Sequence, residues 1–405
     1  MEDRSVGTLF SAFGLGLSGL RVAQVQLDVA GHNISNVNKD GYSRQRAELT
    51  EFEPLYLPYG TVGRGATIQT ITRARNLFLD GVYRNQVQEV GSSEIKQTYF
   101  NRMEDILNEP SDDSLGQRLN LFFDSLNDFA NNVEDVSARS SLLSEGEAVS
   151  GLLTEVAGRL DQLRTDANEE LRNMVPKINE LASNIADLNK RIQIIEATGN
   201  SANDLRDERD NDLDELSKMV KVTAREREDG MVDVVLGSDQ FITGVEFSAL
   251  KTVTDSTLDP DRPDLLKVVF AGSGRDAEIG GGEAYGVMEM RDTEIKTLSD
   301  RMDELARSLI TSINRIHSQG NGLVRYTGTV ESTNLVSNPT ALLNSLPELP
   351  YDVTNGTFQM LVYDDATNTV AETVTVPVTT GATTVASIVS AINTSTNLTA
   401  AVTPD

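Results

Sequence analysis

A run of apolar residues between Leu153 and Ile195 constrains this chain most. Leu153, Val156, Leu160, Leu163, Ala167, Leu171, Met174, Ile178, Leu181, Ile185, Leu188, Ile192 and Ile195 step by 3, 4, 3, 4, 4, 3, 4, 3, 4, 3, 4 and 3 residues. That spacing puts all of them on one stripe of an α-helix. A helix of about 45 residues is a rod roughly 65–70 Å long. A lone helix is marginal in water, so a rod with one apolar stripe needs partners along its length. The 4, 4 step through Ala167 is a stutter, which locally unwinds a left-handed supercoil. Pro176 lies inside the run. Because the stripe keeps its phase across it, the pattern predicts one kinked helix, not two. Thr198-Gly199-Asn200 supplies the stop.

Around this rod the sequence places shorter helices. Asn76–Leu107 and Ser114–Asn131 flank Pro110, with Ser111 or Asp112 as the expected cap. Leu205–Val220 is shorter and heavily charged. Ala284–Gln319 carries Ile295, Leu298, Met302, Leu305, Leu309, Ile313 and Ile316, a stripe able to pack on the rod. Alternating runs at Val220–Ala224, Met231–Leu236, Gln240–Ile242 and Leu265–Phe270 predict a small β region with a hairpin turn at Asp229-Gly230. Beyond residue 326, Phe358–Tyr363 and Val370–Val378 read as strands and Thr384–Asn393 as a helix.

The first helix signal, Ser5–Asn38, also carries a heptad seam. Phe10, Phe13, Leu17, Leu20, Leu27 and Ile34 are spaced 3, 4, 3, 7 and 7, with Gln24 and Gly31 in the vacant slots. Gly14, Gly16, Gly19 and Gly31 each cost such a helix about 1 kcal/mol relative to Ala. The helix is therefore expected to be weak alone and to form when a partner covers the seam. Residues 43–72 hold Pro54, Pro58 and several glycines with no helical period. They read as an extended segment with short strands at Ala47–Phe52 and Ala66–Ile71.

The fold expected is mainly α with β: an elongated, coiled-coil-like helical bundle with an inserted small β subdomain, then an incomplete β-rich outer domain. The divisions are 1–45 (inner helix and turn), 46–75 (extended linker), 76–325 (bundle, with β insertion at about 220–283) and 326–405 (Thr-rich outer domain).

Charge is unevenly distributed along the 405 residues. Residues 1–100 carry 10 basic and 10 acidic side chains, whereas the whole chain has a net charge of −27. After Arg325 there are 7 acids, no base and 18 threonines. A strongly acidic chain repels copies of itself, and a neutral head relieves this where copies must pack. The base-free tail offers trypsin-like proteases nothing to cut after. The acidity argues against nucleic-acid binding, which needs surplus Lys and Arg. No apolar stretch approaches the ~20 residues that span a bilayer. Met1-Glu2-Asp3-Arg4 lacks the positive character of a secretory leader, so no cleaved signal is expected.

Chemistry-bearing motifs are few. With no Cys and only two His, thiolate and His-built metal or catalytic sites are excluded. No cofactor is expected. Gly14-x-Gly16-x-x-Gly19 spells a dinucleotide fingerprint, but no strand precedes it and its glycines fall within the heptad seam. Asp210-x-Asp212-x-Asp214 begins like a calcium loop, yet Glu215 stands where the turn needs Gly and Lys221 where the site needs Glu. With Asp207, Glu208 and Arg209 it reads as a solvated helix face bearing charge pairs. His32 and His317 read as polar helix-end residues.

The segment richest in information is Gly31-His32-Asn33-Ile34-Ser35-Asn36-Val37-Asn38-Lys39-Asp40-Gly41-Tyr42-Ser43-Arg44-Gln45. Its asparagines favour side-chain-to-backbone bonds over helix continuation. Asp40-Gly41 supplies a turn. Tyr42 is placed to pack, with Arg44 and Gln45 reaching for carbonyls or carboxylates.

Here the chain resembles the flagellar axial proteins, whose first helix ends in an Asn-rich run followed by Gly-Tyr. His32, Asn33, Asn36 and Gly41-Tyr42-Ser43-Arg44-Gln45 are most similar to the hook-associated protein 1 family. Leu107-Asn108-Glu109-Pro110-Ser111-Asp112, Leu121-Phe122-Phe123, Ala202-Asn203-Asp204-Leu205-Arg206-Asp207-Glu208-Arg209-Asp210, and Leu305-Ala306 with Asn314, His317 and Gly320 extend the likeness over about residues 5–325. The resemblance implies a non-catalytic structural protein of the extracellular flagellum, exported unfolded through the type III channel without a cleaved signal. It implies assembly as a ring of identical subunits between hook and filament. The implied partners are hook protein, hook-associated protein 3 and an export chaperone, with neither nucleic acid nor membrane. Absence of Cys suits such a route. The family's first helix packs with its own C-terminal helix and with neighbouring subunits. Two departures stand out: Lys39-Asp40 replaces the usual Thr-Pro, and no C-terminal helix follows, so a C-terminal truncation is expected, with the chaperone site missing. The alternatives are another axial (hook or rod) protein, a non-flagellar coiled-coil adaptor, and an enzyme with a site in the β region.

Overall fold

The computed structural model describes residues 3–57, 60–108, 111, 114–317, 320, 325–332, 335–346, 348–349 and 353–402, the side chains from residue 12 onward. The chain divides into two units, Met1–Glu304 and Leu305–Asp405.

The first unit begins with α1 (Asp3–Ser35), followed by a ribbon of short strands: β1 (Gln45–Glu51), β2 (Leu55–Leu57), β3 (Gly60–Val62) and β4 (Ala66–Arg73). β1 pairs antiparallel with β4, and β2 with β3. The helices α2 (Leu77–Leu107), α3 (Leu115–Asn131), α4 (Val136–Glu196) and α5 (Asn203–Met219) come next. Caps mark where they start. Asn76 accepts from the Phe78 and Leu79 amides, Ser114 from Gln117, and Asp135 from Ser137. The α3 cap is thus Ser114; Asp112 lies outside the described residues.

α4 is the predicted rod, but at 61 residues it is longer than the stripe that announced it, roughly 90 Å at helical rise. It runs through Pro176 as one helix. Its first turns carry few apolar residues and are covered by α3, where Phe122 and Val149 are buried. Along the stripe, Val156 through Ile192 are buried and only the end residues Leu153 and Ile195 are half-exposed.

Two small sheets cover one flank of the rod. Strands β5 (Val222–Glu226), β6 (Val232–Leu236), β7 (Asp239–Thr243) and β8 (Glu246–Phe247) form an antiparallel meander; β9 (Leu250–Thr254) and β10 (Leu266–Phe270) form a hairpin. Val232, Val234 and Leu236 alternate into the core with Val222, Phe241, Val268 and Phe270. Asn168, Asn179 and Asn189 lie about three helical turns apart on α4. Asn168 receives the Leu266 amide, Asn179 bonds both the amide and carbonyl of Leu250, and Asn189 does the same to Val232. These side chains satisfy backbone groups that a helix–sheet contact would otherwise bury unpaired.

The late helix, expected to be continuous, is interrupted. α6 (Gly282–Glu289) passes through a π-turn at Met290–Glu294 into α7 (Ile295–His317). The extra residue of a π-turn lets a side chain leave the helical face. Here it carries fully buried Arg291 to Asn168 Oδ1 at 2.8 Å while also pairing with Asp292. Of the stripe predicted to pack on α4, Ile295 is buried and Leu298 and Met302 lie against the core. Leu305, Leu309 and Ile313, in the second unit, are half-exposed, and Ile316 is exposed.

The second unit contains a hairpin of β11 (Gly356–Asp364) and β12 (Thr369–Val378), with α8 (Val385–Ile392) against β12. Asn368 takes the left-handed conformation at the turn. Thr384 and Ser387 form a capping box. Val374 and Val376 are buried.

Candidate functional site

α1 carries two stripes. Val22 and Val29 are buried where the helix lies on β1 and β4. They belong to a series Val22, Val25, Val29, His32 and Asn36, all turned away from solvent at least in part. The predicted seam occupies another face. Phe13, Leu17, Leu20, Leu27 and Ile34 are 40–75% exposed, and nothing among the described residues covers them. Phe10 lies on α1, but its side chain is outside the described residues. A helix with one fastened stripe and one open apolar stripe has a surface to offer.

The turn after α1 is built from its own side chains. The His32 Nδ1 is 3.0 Å from the Tyr42 hydroxyl, which donates to Asn33 Oδ1 at 2.8 Å. The Gln45 amide also donates to Asn33 Oδ1, and Asn33 Nδ2 donates to the Gln45 carbonyl. Asn36 Nδ2 bonds the His32 carbonyl. Because Tyr42 gives its proton to Asn33, the His32 nitrogen is the donor in the other bond. Asn33 thereby pins the start of β1 to the end of α1. Gly41 has φ +71°, and a Cβ there would lie 1.7 Å from Asn211 Oδ1 on α5. The position needs Gly both for conformation and for clearance.

α5 holds the other half of the site. Asn203, Asp207, Asp210 and Asp214 are spaced 4, 3 and 4 and share one face. Asn203 Nδ2 donates to the Ile71 carbonyl, Asp204 accepts from Gln45 Nε2, and Asp207 accepts from the Ser43 amide. Arg73 bridges Asp207 at 2.8 Å and Asp210 at 2.7 Å. Arg84 bonds Asp214 at 2.6 Å and reaches Asp210 at 3.3 Å; Arg75 approaches both carboxylates. The side chains of Arg73, Asp207 and Asp210 are each more than nine-tenths buried. On the opposite face, Arg206 pairs with Glu196 and Glu226. Fully buried Arg209 donates to Asn189 Oδ1 and the Gly230 carbonyl.

This corrects the reading of 207–214 as a solvated charge face. The cations lie about 130 residues away in sequence, on β4 and α2, and their arrival converts the face into a buried ion-pair network. Arg44 also differs from expectation: its side chain is exposed and its carbonyl receives the Ala74 amide.

The electrostatics follow from burial against pairing. Burial raises the Asp210 pKa, but Arg73 and Arg75 outweigh it and the carboxyl titrates below its usual range. At Asp214 burial wins over Arg84, and the pKa is raised. Burial, with Glu208 and Glu215 nearby, pushes Asp212 up to about 6. Burial lowers Arg209 to about 10, so it remains a cation at neutral pH. Burial, then Asp204 and Asp207, raises the Tyr42 hydroxyl.

A cleft of about 80 Å³ lies between turn and helix, lined by His32, Asn36, Tyr42, Asp204, Asp207 and Asn211 among others. Among the described residues no group of three or more His, Asp or Glu is placed to hold a metal ion. The arrangement is a mechanical clamp that fixes where α1 and the ribbon leave the bundle. His317, at the end of α7, is exposed and apart from it in sequence.

Residues 100–330 match the family model described as the flagellar hook-associated protein FlgK helical domain. Flagellar hook-associated protein 1 of Bacillus subtilis is 34% identical over 210 residues, 50% of this chain and 41% of that protein. The Salmonella typhimurium protein of that name is 25% identical over 309 residues, 75% of this chain and 56% of its own. The chain thus spans about half the length of the curated relatives it matches. The solved structure of the flagellar hook junction protein FlgK from Burkholderia pseudomallei shares the fold, with TM-score 0.50 and 21% identity over 74% of this chain and 56% of that one. On the strength of a family model that covers more than half of its residues, the chain belongs to the flagellar hook-associated protein FlgK family.

Proposed function

We propose that this chain is a non-catalytic structural component of the bacterial flagellum, built into the junction between hook and filament by self-assembly through α1. The observation that carries the reading is the division of labour on α1: one stripe fastened to the ribbon, the other apolar and open. The charged clamp holds that open stripe at a fixed place relative to the bundle. Residues 1–45 and the 46–75 segment serve assembly, 76–325 the bundle, and 326–405 the outside. Phe10, Phe13, Leu17, Leu20, Leu27 and Ile34 pack between subunits, while His32, Asn33, Asn36 and Gly41–Gln45 form the clamp's turn. The partners are other copies, hook protein, hook-associated protein 3 and, before export, a chaperone. The chain leaves the cell without a cleaved signal.

The test is complementation of cells that lack the full-length protein. Deleting residues 1–45, or replacing Leu20 and Leu27 with Glu, should abolish filament attachment while circular dichroism shows the 76–325 helices still folded. Normal attachment with the Glu variants would refute self-assembly through α1.

A further inference from the structure

α2 has its polarity inverted. The face it turns inward carries Gln88, Gly91 and Ser92, all buried. Gly91 is required there because a Cβ would lie 2.5 Å from the Lys218 carbonyl of α5. The opposite face carries Phe78, Leu79, Val82, Tyr83 and Val90, which are 42–75% exposed. On a helix these five fall within one broad stripe. Buried polar residues opposite an exposed apolar stripe signal a second contact, since ordinary surface helices show the reverse.

The same chain holds a second uncovered apolar surface. Leu49, Phe52, Leu55, Tyr56 and Val62 on the ribbon are 42–79% exposed, because α1 covers only one side of it. A two-stranded ribbon is marginal in water and gains from cover on its other side. Within one chain the two surfaces do not cover each other.

We propose that the outer face of α2 packs against the ribbon of a second copy of this chain, head to tail. This deepens the self-assembly reading and rests on it. Charge favours a copy as the occupant. The chain carries −27, yet both surfaces lie in residues 1–100, where acids and bases balance. The stripe's ionisable neighbours Asp80 and Arg84 are turned inward to Arg75, Asp210 and Asp214, leaving Glu89. Two copies can therefore meet here without the repulsion that opposes contact elsewhere. Area agrees. Five partly exposed apolar side chains on each surface offer about 500 Å² a side, roughly 1,000 Å² together, the lower bound for a specific interface. A contact of that size is weak between two copies and strong when repeated around a closed assembly. Because it joins two different surfaces, it builds rings or helices of copies, not isolated dimers.

The chain contains no Cys, so introduced thiols report cleanly. Tyr83→Cys and Tyr56→Cys versions of the full chain are mixed at high concentration and oxidised. The expected result is a mixed disulfide dimer in clear excess over either variant alone. Adding Val82→Glu to the Tyr83→Cys chain should lower its yield about tenfold, as loss of a central interface contact does, with helix content unchanged. Phe123→Cys, on α3, is the control. A yield no greater than the control overturns the proposal, as does a Tyr83–Tyr83 dimer formed preferentially. If that happens while the α1 Glu variants still lose attachment, this proposal fails and the self-assembly reading stands. If the mixed dimer forms but the α1 variants attach filaments normally, self-assembly through α1 fails instead.

Discussion

Replacing Arg73 with Met tests whether the buried network holds the ribbon and α1 on the bundle. The change keeps the length of the side chain and removes its charge. Asp210 retains Arg84 at 3.3 Å and Arg75 at 3.5 Å, but Asp207 loses its cation and keeps only the Ser43 amide. Breaking a buried pair from one side costs about 3–5 kcal/mol, since the remaining charge is stranded. The surviving arginines place this case near the lower figure, about 3 kcal/mol. The cost should appear as local opening of the ribbon, not only as a shift in global unfolding, because the network joins two segments that are otherwise lightly packed. Hydrogen exchange of the 66–73 amides should accelerate about 100-fold or more, the equivalent of roughly 3 kcal/mol. Arg73→Met with Asp207→Asn should recover a large part of this, because the stranded carboxylate is gone. Unchanged protection in the single variant, or a double variant as open as the two single effects added together, would refute the argument.

Other consequences can be measured separately. Gly41→Ala combines a positive φ with collision into Asn211; it should cost about 1–3 kcal/mol, and Asn211→Ala should rescue part of it in denaturant unfolding. Stability should depend on pH in two senses. Asp212, raised to about 6, is held at a penalty as a carboxylate, so its protonation between pH 7 and 5 adds stability. Asp210 and Glu196 titrate below their usual values, so their contribution is present above pH ~4 and lost as pH falls further. Thermal melts should therefore peak on the acidic side of neutrality, and Asp212→Asn should flatten the rise between pH 7 and 5. In the tail, trypsin has no site after Arg325. Chymotrypsin should cut at exposed Tyr326 and Leu335 well before Phe358 or Leu361 within β11; rapid cleavage inside 356–392 would show that the hairpin and α8 are not a folded unit.

Much of the architecture was legible because it is written in local period. The α4 stripe, the caps at Asn76 and Ser114, the alternation in β6 and the Asp-Asp turn of the tail hairpin all depend on residues within a few positions of each other. The Asn-rich turn was visible for the same reason: Asn33 and Tyr42 are nine residues apart and bond each other. The π-turn at Met290–Glu294 was hidden, since one extra residue leaves the apolar spacing of the late helix readable as continuous. The second stripe of α1 was masked by the first, because both advance by threes and fours.

The sequence by itself determined which segments are helical, which face of α4 is buried and where the N-terminal helix must stop. Only the tertiary structure decided the fate of the charges on α5. Asp207 and Asp210 look like solvent-facing residues until Arg73 and Arg84 arrive from more than 120 positions away, and no periodicity can encode a Coulombic partner at that separation. The same limit applies to α2, whose apolar residues would have been assigned to the core. Packing against α5 and α6 instead selected the side with Gly91 and Ser92, because only small side chains allow those backbones to approach so closely.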